Sequence, residues 1–375
     1  MKIYCQKDDL LKGLQIVSRA LPSTTAIPEL THFYFQAQEG VLSVCATNMK
    51  TYISTKIPAE ILRQGEILVQ GKFFLELVQS LNSFGNKHAV VDVNEDNNRV
   101  LFTLEGERLK YELTGRGREE YPDVELIEAE TEFKIDGKML KELFKFGSIA
   151  SAATETSVQG FRGVCMEVKE SKMTVASMDG NRLAMNSRTL PRFENLDFRW
   201  LLSLDVVSEL LKILPDEEVL VQQRDNKILL QFSSIVFQTM LNEGEFVDYE
   251  DFIPDDLEGG IELSRTEFLD HLKGLQPVSR ESGNRIAIDI SADVFGLSSF
   301  NEKFGEAYRE IKIEGENEDV NLAFNAKYIM DFLNSSSDQT ILMFCEGEGM
   351  PAYFWSKENI PEANDLCVIM SLTVQ

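Results

Sequence analysis

Three histidines, five cysteines and 62 carboxylates are the side chains through which this 375-residue chain could do chemistry. His32, His88 and His271 are far apart and lack the close spacing with which imidazoles share a metal ion. Cys5, Cys45, Cys165, Cys345 and Cys367 are odd in number and form no C-x-x-C pair. Most have apolar neighbours, so they read as buried free thiols in a reducing, cytoplasmic compartment. Gly65-Glu-Ile-Leu-Val-Gln-Gly-Lys72 is only loosely like a phosphate-binding loop. It has one residue too many between its glycines, and Phe73 stands where a magnesium-holding hydroxyl is needed. No G-x-S-x-G nucleophile elbow occurs. With so many carboxylates, chance pairs are inevitable, and no acid–base dyad stands out. The expectation is a chain with no catalytic residues, no metal and no cofactor.

The elements that would position any site are more informative. One helical pattern occurs three times, as Lys72-Phe-Phe-Leu-Glu-Leu-Val78, Asp205-Val-Val-Ser-Glu-Leu-Leu211 and Lys327-Tyr-Ile-Met-Asp-Phe-Leu333. Its acids, Glu76, Glu209 and Asp331, lie 133 and 122 residues apart. Three strand segments running into turns repeat in the same register: Leu42 to Asn48, Met173 to Asp179 and Phe295 to Asn301. Their last residues are 131 and 122 apart, matching the helical offsets within two residues. Two motifs in register at domain-sized spacing predict one module built three times. Each copy opens with a strand and an amphipathic helix, at Ile3 to Ala20, Phe133 to Ala150 and Ile261 to Gln276. Segments such as Val100 to Leu104, Lys227 to Phe232 and Ile311 to Glu314 read as antiparallel strands. The fold class is therefore α+β, three tandem domains each with two helices and antiparallel sheets, at 1–122, 127–250 and 256–375. Acidic, turn-rich connectors run from Arg116 to Glu130 and from Gly244 to Gly260. They carry the related Tyr121-Pro-Asp123 and Phe246-Val-Asp248.

Bulk composition limits the partners. The net charge of −25 argues, taken alone, against nucleic acid, whose phosphates need Lys and Arg. No apolar run approaches the ~18 residues that span a bilayer, so no membrane is expected. Lys7, Asp8 and Asp9 stand where a signal peptide needs its apolar stretch. Asp179-Gly180, between two apolar strands, predicts a two-residue hairpin turn with both residues at positive φ.

Asp179-Gly-Asn-Arg-Leu-Ala184 also resembles the D-G-x-R-L-A hairpin of bacterial sliding clamps, the β subunit of the replicative DNA polymerase (DNA polymerase III). Phe246-Val-Asp-Tyr-Glu-Asp-Phe-Ile-Pro254 is similar to that family's F-P-D-Y-x-x-x-x-P connector, and Phe324-Asn-Ala-Lys-Tyr328 to its F-N-x-x-Y helix start. The Met1-Lys-Ile opening and the Val368-Ile-Met370 closing fit as well. The resemblance implies a DNA clamp fold and a head-to-tail homodimeric ring that encircles duplex DNA without sequence preference. Such a ring is a processivity factor for DNA replication and catalyses nothing itself. It also implies a pocket for short apolar peptides of the replicative polymerase, the clamp loader and repair proteins. By position the pocket falls on Phe161, Met178, Gly180, Asn181, Arg182, Leu183, Val247, Phe252, Asn325, Tyr328, Val368, Ile369, Met370 and Leu372. The ring joint falls on Tyr111 and Leu113 at one end and Pro277 and Val278 at the other. This chain departs from the pattern in its tail, Ser371-Leu-Thr373 after Met370, and at Val247, Asp251 and Met178. Those departures bear on peptide preference, not on fold.

Size and charge are consistent with a ring. Helices pack ~10 Å apart, so six would close a circle only ~19 Å across at their axes, with about 9 Å free. A duplex of roughly 20 Å does not fit, whereas twelve helices leave about 28 Å, so two chains are needed. The six helical segments, 7–20, 71–83, 136–150, 205–215, 265–276 and 326–335, carry 11 bases and 10 acids. The remainder carries 26 bases and 52 acids. The acidity therefore lies outside the candidate lining. The candidate phosphate neighbours are Lys12, Arg19, Lys72, Lys138, Lys141, Lys145, Lys212, Lys273, Arg280 and Lys327. A clamp-like acidic scaffold or paralogue that binds proteins but not DNA is the alternative.

Overall fold

The structure, a computed structural model, describes residues 1–38, 40–94, 96–119, 121–151, 163–254, 260–356 and 363–373. Its contacts divide the chain into two units, 1–138 with 212–241 and 139–211 with 242–375.

The first unit is built on strands β1 (Lys2–Gln6), β2 (His32–Gln38), β3 (Val41–Thr47), β4 (Thr51–Arg63), β5 (Gly65–Gln70), β6 (His88–Asn94), β7 (Arg99–Leu104), β8 (Tyr111–Thr114) and β9 (Thr131–Asp136). Strands β14 (Glu218–Arg224), β15 (Lys227–Phe232) and β16 (Ile235–Met240) complete it. They form one antiparallel sheet in the order β8-β7-β6-β1-β4-β16-β15-β14-β9, with β3 and β2 leading off β4 to β5. The β4–β16 ladder, Ile235 against Thr55 through Thr239 against Thr51, makes this sheet continuous from the first repeat into the second. Helices α1 (Lys7–Val17) and α2 (Gly71–Ser80) belong to the same unit. On α2 the repeated pattern buries Phe74, Leu77 and Val78 and leaves Lys72, Phe73 and Glu76 in solvent. Its start is fixed by Gln70, whose side chain accepts the Phe73 N–H at 2.7 Å.

The second unit holds β10 (Val164–Lys169), β11 (Lys172–Met178), β12 (Arg182–Thr189), β13 (Phe198–Leu202), β17 (Ile261–Ser264), β20 (Thr340–Cys345), β21 (Ala352–Ser356) and β22 (Ala363–Ile369). Their order is β13-β10-β11-β12-β22-β21-β20-β17, and the β12–β22 ladder joins second repeat to third as β4–β16 joins first to second. A separate long hairpin pairs β18 (Arg285–Asn301) with β19 (Gly305–Asn325). Helices α5 (Arg265–Ser279) and α6 (Ala326–Ser335) lie here, with most of α3 (Gly137–Gly147) and α4 (Leu204–Ile213). Phe146 of α3 meets Phe332 of α6 edge-on at 5.8 Å, and Phe332 meets Phe354 of β21 at 5.7 Å. Contacts of this kind contribute about 0.5–1.5 kcal/mol each beyond area burial. Gly147 lets α3 approach β11, since a Cβ there would lie 2.4 Å from the Val175 carbonyl oxygen.

The repeated turn differs from its expected form. Asp179 N–H donates to the Arg182 carbonyl at 3.2 Å, so the central residues are Gly180 and Asn181, not Asp179 and Gly180. Only Gly180 has positive φ, 86°. The Asp179 carboxylate instead accepts the N–H groups of Asn181 and Arg182. Asn48 does the same for Lys50 and Thr51, and Asn301 for Lys303 and Phe304. One side-chain device thus recurs at all three repeated positions. A second difference is α5, which runs past Gln276 through Pro277 to Ser279. Proline removes one helical donor, and it does so within the last turn, where the exposed Lys273 is four residues upstream.

Candidate functional site

In the second unit, Met178, Leu183 and Val368 come together on one sheet face with Leu366, Tyr353, Phe246 and Tyr249. The pairings Met178 with Leu183 and Leu183 with Val368 place the three side by side across β11, β12 and β22. Val247, Ile253 and Phe344 pack against this cluster from its margin. Around it, large apolar side chains remain open to solvent: Phe252 at 47 %, Met370 at 47 % and Leu372 at 36 %. Ile369 alternates to the opposite face and is buried in a different cluster with Ile329, Phe332 and Phe354. Phe161 lies outside the described residues.

The tail that departs from the family pattern is nevertheless held. Met370 N–H donates to the Asn181 carbonyl at 2.8 Å and Leu372 N–H to the Ala323 carbonyl at 2.7 Å. Arg285 donates to the Thr373 carbonyl. The Asn325 side-chain carbonyl oxygen caps α6 by accepting Lys327 N–H at 3.0 Å.

One arginine organises the margin. Arg182 pairs with Asp331 of α6 at 2.7 Å and with Asp179 at 3.2 Å, its side chain only 9 % exposed. Its guanidinium also lies 4.2 Å from the centre of the Tyr328 ring. Burial favours its neutral form, but Asp331 and Asp179 outweigh this and raise its pKa. Burial likewise pushes the Tyr328 hydroxyl up. The connector is fastened by a second arginine. Arg199 pairs with Glu167 at 3.2 Å and Asp248 at 3.0 Å and donates to the Val247 carbonyl at 3.0 Å, while Tyr249 donates to Glu167. In the first unit Arg118 pairs with Asp123 within the connector and lies 5.3 Å from the centre of the Tyr34 ring on β2, whose hydroxyl donates to Glu66.

The first unit has a counterpart of the groove, and it is strapped shut. By strand register Thr47, Tyr52 and Gln238 stand where Met178, Leu183 and Val368 stand in the second unit. Gln238 accepts Ile127 N–H at 2.9 Å and donates to the Glu125 carbonyl at 3.0 Å, so it ties the connector across the position. The Val368 side chain has no polar atom with which to do this. A cavity of about 150 Å³ remains there, bordered by Met49, Lys50, Lys227 and Met240. A depression of about 870 Å³ lies elsewhere in this unit against Arg63, Asp92, Asn94, Asp96, Arg99 and Glu112. Its lining is mostly polar, so it lacks the apolar floor of the groove.

Of the ten candidate phosphate neighbours, Lys12, Lys72, Lys138, Lys145, Lys212, Lys273, Arg280 and Lys327 are exposed, and Arg19 and Lys141 are half-buried. Lys273 lies 3.6 Å from Asp270, and Arg280 donates to Gln276. Two helical bases counted in the sequence are structural. Lys7 is buried against Asp8, and Arg265 donates to the Leu333 carbonyl in the last turn of α6 and to the Asp338 carbonyl past its end.

Tyr111 and Leu113 are half-buried on β8, which ends its sheet and leaves one backbone edge unpaired by the described strands. The Tyr111 ring sits 6.4 Å from buried Phe102. In the second unit Pro277 is exposed and Val278 half-buried in the last turn of α5. Beside them the β18–β19 hairpin presents Phe300, Phe304 and Tyr308, exposed at 63 %, 55 % and 56 %. Sequence reasoning missed this aromatic cluster. Its only signal was the run Phe300 to Phe304 at a turn. Asn301 and Ser282 tie that turn to the end of α5.

The described thiols are poorly placed for nucleophilic work. Burial pushes Cys5 and Cys367 up to about 12 and Cys45 and Cys165 to about 11. Among the described residues, no group of three or more His, Cys, Asp or Glu could hold a metal ion, and no helix is long and apolar enough to cross a membrane.

Comparison with known proteins assigns this arrangement. Residues 1–125, 134–248 and 250–357 match the N-terminal, central and C-terminal domain profiles of the DNA polymerase III beta subunit. The chain is 28 % identical to the beta sliding clamp of Bacillus subtilis (strain 168), covering 89 % of this chain and 90 % of that one. It is 23 % identical to the beta sliding clamp of Rickettsia bellii over the whole of both. The crystal structure of the DNA polymerase sliding clamp from Bacillus subtilis superposes with a TM-score of 0.90 at 24 % identity, covering both chains fully. A Pseudomonas aeruginosa DnaN sliding clamp bound to griselimycin gives 0.91 at 21 %, again over both chains. With all three domain profiles matched in order along a doubly repeated strand-and-turn plan, the chain belongs to the DNA polymerase III beta subunit family, the beta sliding clamps.

Proposed function

We propose that two copies of this chain close head to tail into a ring around duplex DNA and tether the replicative polymerase, the clamp loader and repair proteins to it. The ring acts without catalysis, in the cytoplasm, as three clamp domains per chain at 1–122, 127–250 and 256–375. The observation that carries the reading is the ordered match of all three domain profiles. The helices α1 to α6 supply half of the lining that a duplex needs. Their exposed lysines make weak, sequence-independent phosphate contacts, which suit sliding because tight phosphate bonds would hold the protein in one register.

Partners dock short apolar peptides in the groove over Met178, Leu183 and Val368, with Phe252, Met370 and Leu372 closing on them. The open β8 edge with Tyr111 and Leu113 supports a joint to the partner's Pro277, Val278 and β18–β19 hairpin, since both surfaces offer apolar side chains beside an unpaired strand edge. Light scattering at micromolar concentration tests the joint. The proposal expects about twice the 42.5 kDa chain mass, reduced to one chain by Leu113→Asp with Tyr308→Asp. A wild-type monomer would favour the acidic-scaffold alternative.

A further inference from the structure

The groove has an apolar floor, and its margin is negatively charged on two sides. The connector 243–253, which contributes Val247, Phe252 and Ile253, carries Glu243, Glu245, Asp248, Glu250 and Asp251 and no lysine or arginine. The β20–β21 turn, next to Phe344 and Tyr353 of the same cluster, adds Glu346 and Glu348 and again no base. The tail 366–373 is uncharged. Of the three arginines that reach this region, Arg182 is matched by Asp179 and Asp331 and Arg199 by Glu167 and Asp248, and Arg285, on the Thr373 carbonyl, sets one positive charge against Glu250, Asp251, Glu346 and Glu348. Glu250, Asp251, Glu346 and Glu348 are all exposed, so their field reaches whatever lies over Phe252 and Met370.

We infer that this groove selects peptides whose apolar side chains are flanked by lysine or arginine and rejects acidic-flanked ones. The inference rests on the peptide-docking reading given above. Its physical basis is that several like charges around one apolar cleft act together over a Debye length of ~8 Å at physiological salt, which covers a peptide's immediate flanks. Repulsion of the wrong flank contributes to selectivity as much as attraction of the right one.

The test uses the full chain and two dye-labelled nonapeptides with the same leucine-rich core, one with lysines at both ends and one with glutamates. Fluorescence anisotropy at 50 mM salt should give the lysine-flanked peptide at least tenfold tighter binding, about 1.4 kcal/mol. The ratio should fall below threefold at 0.5 M salt. Glu250→Lys with Asp251→Lys should remove the preference, and Met370→Ala should weaken both peptides. Equal affinities on the wild-type chain would overturn the inference and leave the docking groove standing. Failure of both peptides to bind would overturn the groove reading and the inference with it. A preference unchanged by the double lysine variant would place the charge sensing elsewhere and also overturn the inference.

Discussion

Arg182→Met should cost the second unit about 3 kcal/mol of stability. The methionine keeps most of the apolar stem and removes the guanidinium from Asp331, Asp179 and the Tyr328 ring. Breaking a buried ion pair by deleting one partner costs about 3–5 kcal/mol because the other charge is left uncompensated. Here Arg182 is 9 % and Asp179 15 % exposed, but Asp331 is 33 % exposed, so water recovers part of its solvation. That brings the ion-pair loss to about 2 kcal/mol, and the lost ring contact at 4.2 Å adds about 1 kcal/mol. Urea unfolding followed by tryptophan fluorescence reads this unit alone, because both tryptophans, Trp200 and Trp355, lie in it. A double-mutant cycle with Asp331→Asn should return a coupling of about 1–2 kcal/mol, little changed in 0.5 M salt because the pair is mostly screened from solvent. A loss under about 0.5 kcal/mol, or coupling abolished by salt, would show that Arg182 is an ordinary surface charge and refute the argument.

Met370→Ala should weaken an apolar peptide about three- to tenfold without changing the mass of the assembly. Full burial of a Met side chain is worth about 1.5–3 kcal/mol and about half of Met370 is free to be covered; unchanged affinity would misplace the groove. Gln238→Ala should speed hydrogen exchange at Ile127 at least tenfold, since that N–H loses its acceptor; no change would mean the strap holds nothing. Asp365 has its pKa raised by burial, against the opposing bond from Ser356, which donates to it at 2.6 Å. A carboxyl raised on folding binds its proton more tightly in the native state, so stability falls as pH rises from the ordinary value of 3.8 through the native one. Asp365→Asn should flatten urea stability across that window and raise it at neutral pH, and an unchanged pH slope would refute this.

Much of the plan was legible because periodicity and turn chemistry act locally. The three helix patterns became α2, α4 and α6, and the three strand-to-turn segments end at Asn48, Asp179 and Asn301, whose side chains accept the turn N–H groups. What sequence could not show depends on pairing between distant strands. The β4–β16 and β12–β22 ladders join neighbouring repeats, so contacts group into two units although the sequence repeats three times. The turn was read one residue early because Asp179 is a capping residue, not a left-handed one. The charge count included Lys7 and Arg265, which the fold holds internally. In the groove, the resemblance implies both Val368 and Ile369, yet successive strand residues face opposite sides and Ile369 is buried in the other cluster. Gln238 carried no motif, and its role appears only when β16 is aligned with β22.

The central claim is topological, and retention on DNA tests it most directly. After loading onto nicked circular DNA, the protein should stay bound through gel filtration in high salt and be lost once a restriction enzyme linearises the circle. Weak phosphate contacts alone cannot survive that salt. Equal loss from circle and linear DNA would contradict encirclement.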